Sequence, residues 1–349
     1  MDQALFISII AMSNALLIYW GYKTLPKENW QIMAVLPKKK MLHGKWKGLN
    51  LTYYGLLCAN AYTFAVIIFI ILSAASGLPV SGLCLLITLL LLICMPASKI
   101  IARIVEKKSG TLTVGGAVFA GTLCAPWIVF LVNQTLGRIQ EFHISATIFL
   151  AAVSVAYAYG EGLGRLACIS FGCCYGKPLE SCSPGVQKLF SHFHLVFSGE
   201  TKKIAYASGL DNQKVIPIQV ITASVYCCCG VLGTWLYLNG HFIAALMESI
   251  IMTQTWRFAS EFFRADFRGD LKVTPYQVMS LVCILYAAGI AWIIPVQGST
   301  PDLFSGLSAL WTPWMILFIQ AVWIISFWYT ARSTVTGAQI SFHVEENRI

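Results

Sequence analysis

The chain has 349 residues, of which 57 % are hydrophobic and only 11 % charged, whereas soluble domains carry roughly 25 % charged residues. So few charged side chains cannot cover the surface of a soluble protein of this size. The apolar content excludes a disordered chain, and the length excludes a small secreted domain held by disulfides. Continuous apolar runs are unlike the short alternating strands of a transmembrane barrel. The composition therefore predicts an all-α polytopic membrane protein.

The net charge is +9, from 24 Lys and Arg against 15 Asp and Glu. Basic residues next to membrane spans commonly face anionic lipid head groups. A second interpretation is a binding site for an anionic lipid substrate. The basic residues are spread over several loops and form no separate basic module, so no nucleic-acid partner is expected.

Apolar runs of about 20 residues are long enough to cross a bilayer. The first run follows Met-Asp-Gln, which has no basic residues, and no small-residue cleavage site comes after it, so we interpret it as a helix rather than a signal peptide. About nine transmembrane helices are predicted, near residues 4–21, 51–75, 79–97, 112–132, 144–163, 216–238, 242–263, 275–295 and 312–331.

Polar segments separate these runs. Residues 177–215 are long enough for a small extramembrane cap with short strands, such as His194–Ser198, and the tail from Arg332 is expected to be polar and exposed. If nine helices alternate in direction, the basic loops at 22–49, 98–109 and 177–215 all lie on one side. The positive-inside rule places that side in the cytoplasm.

Charged residues in membrane helices are costly and often functional. Arg257, Glu261, Arg264 and Arg268 are spaced by 4, 3 and 4 residues, which predicts one helical face with an Arg257–Glu261 pair. Arginine forks match the geometry of phosphate oxygens. The alternative is a self-paired helix end that extends its charges to the interface.

A second polar cluster runs from Gly160 to Pro178 and is rich in glycine, which allows close backbone approach to a ligand. Arg165 is either a phosphate anchor or a structural partner of Glu161, one turn away. The adjacent Cys173 and Cys174 lack the spacing of a metal site, and no second pair completes one. No metal site is therefore expected.

Four helix starts carry further candidates. Gly115 and Gly116 begin an apolar run, and Gln219 follows a helix-initiating proline. Gln277 begins another run in the same way. Tyr54 lies at the start of the second span. The alternative to a functional role for Tyr54 is that it belongs to the aromatic belt at the membrane interface.

In chain order, these motifs are Tyr-Tyr-Gly-Leu, a Gly-Gly helix start, Gly-Arg-Leu followed by Tyr-Gly, Pro-x-Gln and Arg-Phe-x-x-Glu-Phe-Phe-Arg. Together they resemble the prolipoprotein diacylglyceryl transferase family over about residues 50–295. The Gly-Cys-Cys-Tyr-Gly sequence resembles a divergent branch. The resemblance implies a transferase-like membrane core at 51–295, which contains the cap at about 177–215. An N-terminal extra helix with its basic loop at 1–50 precedes this core. A C-terminal extra helix with its tail at 296–349 follows it.

The resemblance implies a multi-pass enzyme of the bacterial inner membrane that needs no cofactor. Such enzymes transfer a diacylglyceryl group from phosphatidylglycerol to the lipobox cysteine of a prolipoprotein, and glycerol phosphate leaves. Those two substrates and the membrane are the implied partners. The residues implied for catalysis are Arg165, Arg257, Glu261 and Tyr54. Those implied for substrate binding are Arg264, Gly115, Gly116, Gly172, Tyr175, Gly176, Gln219 and Gln277.

The chain departs from the family pattern at several positions. Val114 stands where the family has a histidine before the Gly-Gly pair, Ile216 replaces a second histidine, and Cys168 and Cys173 replace an asparagine and a glutamate. A general base has therefore been lost or moved, and an altered acceptor stays open. Two alternatives also stay open: a non-catalytic lipid- or lipoprotein-binding relative, and a small-solute transporter. The family's orientation, with the arginine face outside the cytoplasm, is opposite to the one that the basic loops indicate.

Overall fold

The computed structural model describes residues 2–107, 113–266, 273–294, 296 and 300–349. Within this part of the chain, nine helices have 18 residues or more, and each overlaps one of the nine predicted runs. They are α1 (Gln3–Thr24), α2 (Tyr53–Ala75), α3 (Val80–Glu106), α4 (Val114–Val132), α5 (Ala146–Phe171), α8 (Ile218–Leu238), α9 (Phe242–Ser260), α10 (Pro275–Ile293) and α12 (Pro313–Thr330). The shorter helices are α6 (Pro184–Phe190), α7 (Lys203–Ser208) and α11 (Leu303–Ala309).

Eight of these long helices are apolar enough to cross a membrane by length and composition. The ninth, α9, is less apolar because it contains Glu248, Gln254 and Arg257. The prediction of an all-α polytopic membrane protein is confirmed, with eight rather than nine strongly apolar spans among the described residues.

Helix α5 lies at the centre of the bundle. In its most apolar 18-residue stretch 83 % of the residues are buried, against 11 % in α12. It packs against α2, α8 and α9, while α12 packs on the outside of α2. A charged residue on α5 is therefore enclosed by protein on most sides, which keeps it away from lipid tails.

A small sheet closes one end of the bundle. Strand β1 (Ile32–Lys40) pairs antiparallel with β2 (Trp46–Thr52), and β2 pairs antiparallel with β5 (Arg332–Ile340). The segment expected as a basic loop forms two paired strands, which satisfies its backbone hydrogen-bonding groups. The tail from Arg332 is largely exposed, as expected, but its first nine residues form strand β5. The three lysines at 38–40 are exposed at the end of β1.

The cap between α5 and α8 is stabilised by a second, shorter sheet. Strand β3 (Leu195–Val196) lies within the stretch where a strand was predicted, and pairs with β4 (Lys214–Val215). An isolated bridge joins Pro178 to Val215, so the cap is held against the start of α8.

Alternating helix directions bring many helix ends together. The side of the bundle that carries the sheet and the cap also contains six helix ends. These are the carboxyl ends of α5 and α9 and the amino ends of α2, α4, α8 and α10. We call this side the polar end. The amino end of α2 is fixed by Thr52, whose side chain accepts a hydrogen bond from the Gly55 N–H, and that of α10 by a capping box between Thr274 and Gln277.

Candidate active site

Three charged residues meet at the polar end, on α5 and α9. Glu161 and Arg165 lie one turn apart on α5, and Arg165 Nη2 donates to Glu161 Oε1. Arg257 Nη2, from α9, donates to the same oxygen over 3.2 Å and to the Tyr157 hydroxyl, also over 3.2 Å. We call Glu161, Arg165 and Arg257 the Glu161 cluster.

The Glu161 cluster is buried and carries an excess positive charge. The exposed fractions of its side chains are 2 % for Glu161, 9 % for Arg165 and 10 % for Arg257. Two guanidinium groups share one carboxylate, so the sum is one positive charge. Because a buried charge is costly unless it is compensated, the cluster is suited to an anion with one negative charge.

Two donors in this cluster have no protein acceptor. The Nε atoms of Arg165 and Arg257 are buried and make no hydrogen bond to any described residue. A buried unpaired donor costs about 1–3 kcal/mol, and more when it is charged. An oxyanion between the two guanidinium groups would satisfy both the donors and the excess charge.

Gly115 makes room for Arg257. A Cβ atom at this position would lie 2.9 Å from Arg257 Nη1 and 2.9 Å from the ring of Tyr276. Both separations are shorter than real Cβ contacts, so a side chain larger than hydrogen at this position would displace Arg257 or Tyr276. The next residue, Gly116, instead faces α3, since its Cβ would lie 2.7 Å from Ile101 Cβ. The structure thus places Gly115 beside the Glu161 cluster and Gly116 in a helix–helix contact.

The segment after α9 differs from its prediction. Helix α9 ends at Ser260, a 3₁₀ turn covers Glu261–Phe263, and Arg264 is extended. The predicted single helical face is therefore wrong, and the carboxylate that Arg257 contacts is Glu161 instead of Glu261. Glu261 lies within electrostatic reach of Arg264. Arg268 lies outside the described residues.

Backbone pairing explains this early end of the helix. Arg264 forms an antiparallel bridge with Gly176, and the Ala265 N–H donates to the Tyr175 carbonyl over 3.1 Å. A Cβ on Gly176 would lie 2.3 Å from the Ile216 carbonyl oxygen, so only glycine permits this approach. The bridge places the two polar clusters of the sequence next to each other.

Arg264 has its own partner. Its Nε and Nη2 atoms donate to the two carboxylate oxygens of Asp266, each over 2.8 Å. This bidentate pair satisfies both charges. Tyr175, nearby, is buried, and its hydroxyl hydrogen-bonds the Ser208 hydroxyl. These two predicted substrate-binding residues lie at the site but hold protein partners.

The two glutamines hold backbone segments in place. Gln219 Nε2 donates to the Cys173 carbonyl over 2.9 Å, while its buried Oε1 has no partner among the described residues. Gln277 belongs to the capping box, and its Nε2 donates to the Phe258 carbonyl of α9 over 3.2 Å. Gln277 therefore positions α9 relative to α10.

Tyr54 completes the candidate site on the α2 side. Its ring lies 5.5 Å from that of Phe171 at the end of α5. Its hydroxyl is within electrostatic reach of Cys168 and Cys173. Most of the residues predicted from separate motifs therefore lie around the end of α5, whereas Gly116 lies in a contact with α3.

Comparison with known proteins agrees with this arrangement. A model of the prolipoprotein diacylglyceryl transferase family matches residues 44–293, which include the Glu161 cluster and every long helix from α2 to α10. The chain belongs to this family. No curated protein matches the chain. It is a membrane-embedded member of a transferase family that acts on lipid and prolipoprotein substrates in lipoprotein maturation.

Within this transferase core, the structure reveals a group that the sequence reasoning missed. The Sγ atoms of Cys168, Cys173 and Cys174 lie within 4.8 Å of one another. Hydrogen bonds from the neighbouring thiols hold the pKa of Cys174 well below that of an ordinary thiol, and nearby Arg264 and Arg165 act in the same direction. The sequence feature that could have indicated this group is Gly172, because a glycine directly after a helix commonly reverses the chain.

Proposed function

We propose that the chain transfers a diacylglyceryl group from phosphatidylglycerol to the lipobox cysteine of a prolipoprotein in the bacterial inner membrane. The observation that carries this proposal is the Glu161 cluster, with one excess positive charge and two unpaired guanidinium donors. The phosphodiester of phosphatidylglycerol has one negative charge and oxygens that accept from arginine forks. The cluster lies within the helix bundle, on α5 and α9, and this suits a lipid donor.

In the proposed reaction, the sulfur of the acceptor thiol attacks the diacylglyceryl carbon that is bonded to the phosphate oxygen, and the thiol proton passes to the departing glycerol phosphate. The carbon–oxygen bond breaks, its electron pair stays on the phosphate oxygen, and glycerol phosphate leaves. A carbon–sulfur bond remains on the prolipoprotein. Arg165 and Arg257 would stabilise the charge that grows on the departing phosphate.

Other residues would support this step. Glu161 would hold the two arginines in their relative orientation, and Gly115 would keep the space in which Arg257 lies. Glu261, by family resemblance, would orient an arginine or move a proton. Tyr54 would border the place of the acceptor.

The direct test is mass spectrometry of a lipobox peptide incubated with the purified protein and phosphatidylglycerol. We expect the peptide to gain one diacylglyceryl group. Arg257→Ala and Arg165→Ala should each reduce the rate by about 100-fold or more, as loss of a charge-stabilising donor does. Arg138→Ala is the matched control, since Arg138 is exposed at the opposite end of the bundle.

Two results would contradict the proposal. Unchanged transfer by both alanine variants would exclude the Glu161 cluster from the reaction. Binding of phosphatidylglycerol by the wild-type protein with no transfer would instead support a non-catalytic lipid-binding relative. That second candidate is favoured by Val114, a residue without a proton acceptor, at the start of α4 beside Gly115.

A further inference from the structure

The three cysteines at the end of α5 are brought together by the way the helix ends. Gly172 adopts a left-handed conformation with φ of 69°, and the Cys173 N–H turns back to the Cys168 carbonyl over 3.0 Å. This is the hydrogen bond of a Schellman motif, which places the residue after the glycine over the last helical turn. We call Cys168, Cys173 and Cys174 the cysteine cluster.

The local backbone also favours this convergence. Cys174 has φ of 56°, a left-handed conformation that costs an ordinary L-residue about 1–2 kcal/mol. The chain therefore turns again directly after Gly172, in the segment that carries two of the three thiols. Within the described part of the chain, no other set of three His, Cys, Asp or Glu side chains brings its ligand atoms as close together.

The sulfur separations are close to those that a metal ion requires. A metal–sulfur bond of about 2.3 Å implies sulfur atoms about 4.0 Å apart in a trigonal site and about 3.8 Å apart in a tetrahedral one. The Sγ atoms here are all within 4.8 Å of one another. Thiolates are soft ligands that select Zn²⁺ or Cu⁺ over Mg²⁺ or Ca²⁺.

The charges around the cluster suit bound thiolates. Three thiolates with Zn²⁺ carry a charge of −1, and with Cu⁺ a charge of −2. Arg165 and Arg264 lie within electrostatic reach of Cys174, and Lys203 within reach of Cys173. Arg264 also pairs with Asp266 and Arg165 with Glu161, so these cations would offset part of the negative charge of the complex.

We propose that Cys168, Cys173 and Cys174 bind one soft metal ion, Zn²⁺ or Cu⁺, through three thiolates. The expectation of no metal site considered only the adjacent pair at 173 and 174, whereas the third ligand is supplied by the last turn of α5. This inference does not require the proposed transfer reaction, although Arg165 belongs to the Glu161 cluster and also lies near the cysteine cluster.

Metal uptake by the full chain in detergent tests the proposal. The protein would be reduced, freed of metal with a chelator, and given Zn²⁺ or Cu⁺ in separate samples before desalting and elemental analysis. We expect one ion per chain, with at least tenfold weaker binding in Cys168→Ala and in Cys173→Ala. The ion that is retained identifies the preferred metal. Co²⁺ in place of Zn²⁺ should show a sulfur-to-metal charge-transfer band, which reports thiolate ligands directly.

A matched control is available in α8, where three consecutive cysteines occupy positions 227–229. The triple variant Cys227→Ala, Cys228→Ala, Cys229→Ala removes three thiols, more than either single variant, and should still retain one metal ion. Thermal unfolding of every variant shows whether it is folded.

Three outcomes would overturn the proposal. The reduced wild-type protein could retain no metal. The wild-type protein could retain the same amount of metal as the Cys168→Ala variant, which would indicate that the metal binds elsewhere. The isolated protein could carry a disulfide from Cys168 to one of its neighbours and bind no metal after reduction, which would make the cluster a redox pair. Since no lipid or peptide is present, each result leaves the proposed transfer reaction to its own test.

Discussion

Two buried arginine arrangements lie near each other at the polar end, and they differ in how their charges are compensated. Arg264 has a carboxylate of its own, since Asp266 accepts from it through both oxygens. Arg165 and Arg257 share a single oxygen of Glu161. The Arg264–Asp266 pair is complete in itself, whereas the Glu161 cluster keeps a positive charge and two unpaired Nε donors. Incomplete compensation, rather than arginine content, distinguishes the candidate phosphate site.

The largest expected effect is a difference between these two arginine arrangements in transfer rate. Arg257→Ala should lower kcat/KM for transfer to a lipobox peptide by about 100-fold or more. Arg264→Ala should lower it by less than about tenfold, because the Arg264 charge is already compensated by Asp266. Initial rates at several lipid concentrations give both values. Equal losses in the two variants would show that the difference in compensation has no functional meaning.

The same comparison applies to stability. Glu161→Gln leaves two buried arginines without a carboxylate, and breaking a buried ion pair in this way costs about 3–5 kcal/mol. Asp266→Asn affects one arginine, and the Asp266 side chain is 15 % exposed against 2 % for Glu161. Asp266→Asn should therefore lower the free energy of unfolding by less than Glu161→Gln does. Thermal unfolding in detergent measures both.

A double variant separates charge from packing in this stability test. Glu161→Gln combined with Arg165→Met removes one uncompensated charge and should recover part of the lost stability, since neighbouring residues couple. If the double variant is as unstable as the sum of its single changes, the loss comes from packing.

Sequence reasoning located the fold well because the dominant signal is local. Each apolar run is long enough to identify a helix by itself, and all nine long helices of the described chain overlap their predicted runs. The sheet was missed because β5 pairs with β2, where Trp46 lies opposite Ile340. Pairing between segments so far apart leaves no local pattern, and the lysines of β1 indicated a solvated loop.

The candidate site was predicted in part, for the same reason. Arg165 and Glu161 are one helical turn apart, so their contact was visible in the sequence. The partner of Arg257 is on another helix, and the helix-face argument pointed to Glu261 because it assumed that α9 continued. The chain leaves the helical path after the 3₁₀ turn, where the Lys177 N–H donates to the Phe263 carbonyl over 2.9 Å. Such tertiary pairing overrides local periodicity.

A smaller effect is expected from the glycine that makes room for Arg257. Gly115→Ala places a Cβ within 2.9 Å of Arg257 Nη1, so the guanidinium must leave its present position beside Glu161. We expect transfer to fall by about tenfold, since small misplacements of binding groups are costly. Gly289→Ala in α10 is the matched control, because a Cβ added there would have no atom within 4 Å. Equal activity of the two variants would mean that Arg257 is not positioned by this contact.

The smallest effect concerns a fourth buried cation, Lys202, which is compensated by neutral oxygens. Lys202 Nζ donates to the carbonyls of Leu25 over 3.2 Å and Ser170 over 2.6 Å. Burial lowers the pKa of Lys202 from 10.5 to about 8, although Glu28 acts in the opposite direction. Between these two pH values the unfolded chain therefore binds more protons than the folded chain, so this lysine makes stability rise with pH.

The Lys202→Met variant isolates this contribution. Below about pH 8 the folded protein bears the cost of the buried ammonium, and that cost disappears as the pH approaches 10.5. The unfolding temperature of the wild type should thus rise relative to that of Lys202→Met between about pH 7 and pH 10. A constant difference would mean that the two carbonyls keep the ammonium as stable as it is in water. Neutral acceptors would then compensate a buried cation as fully as Asp266 compensates Arg264.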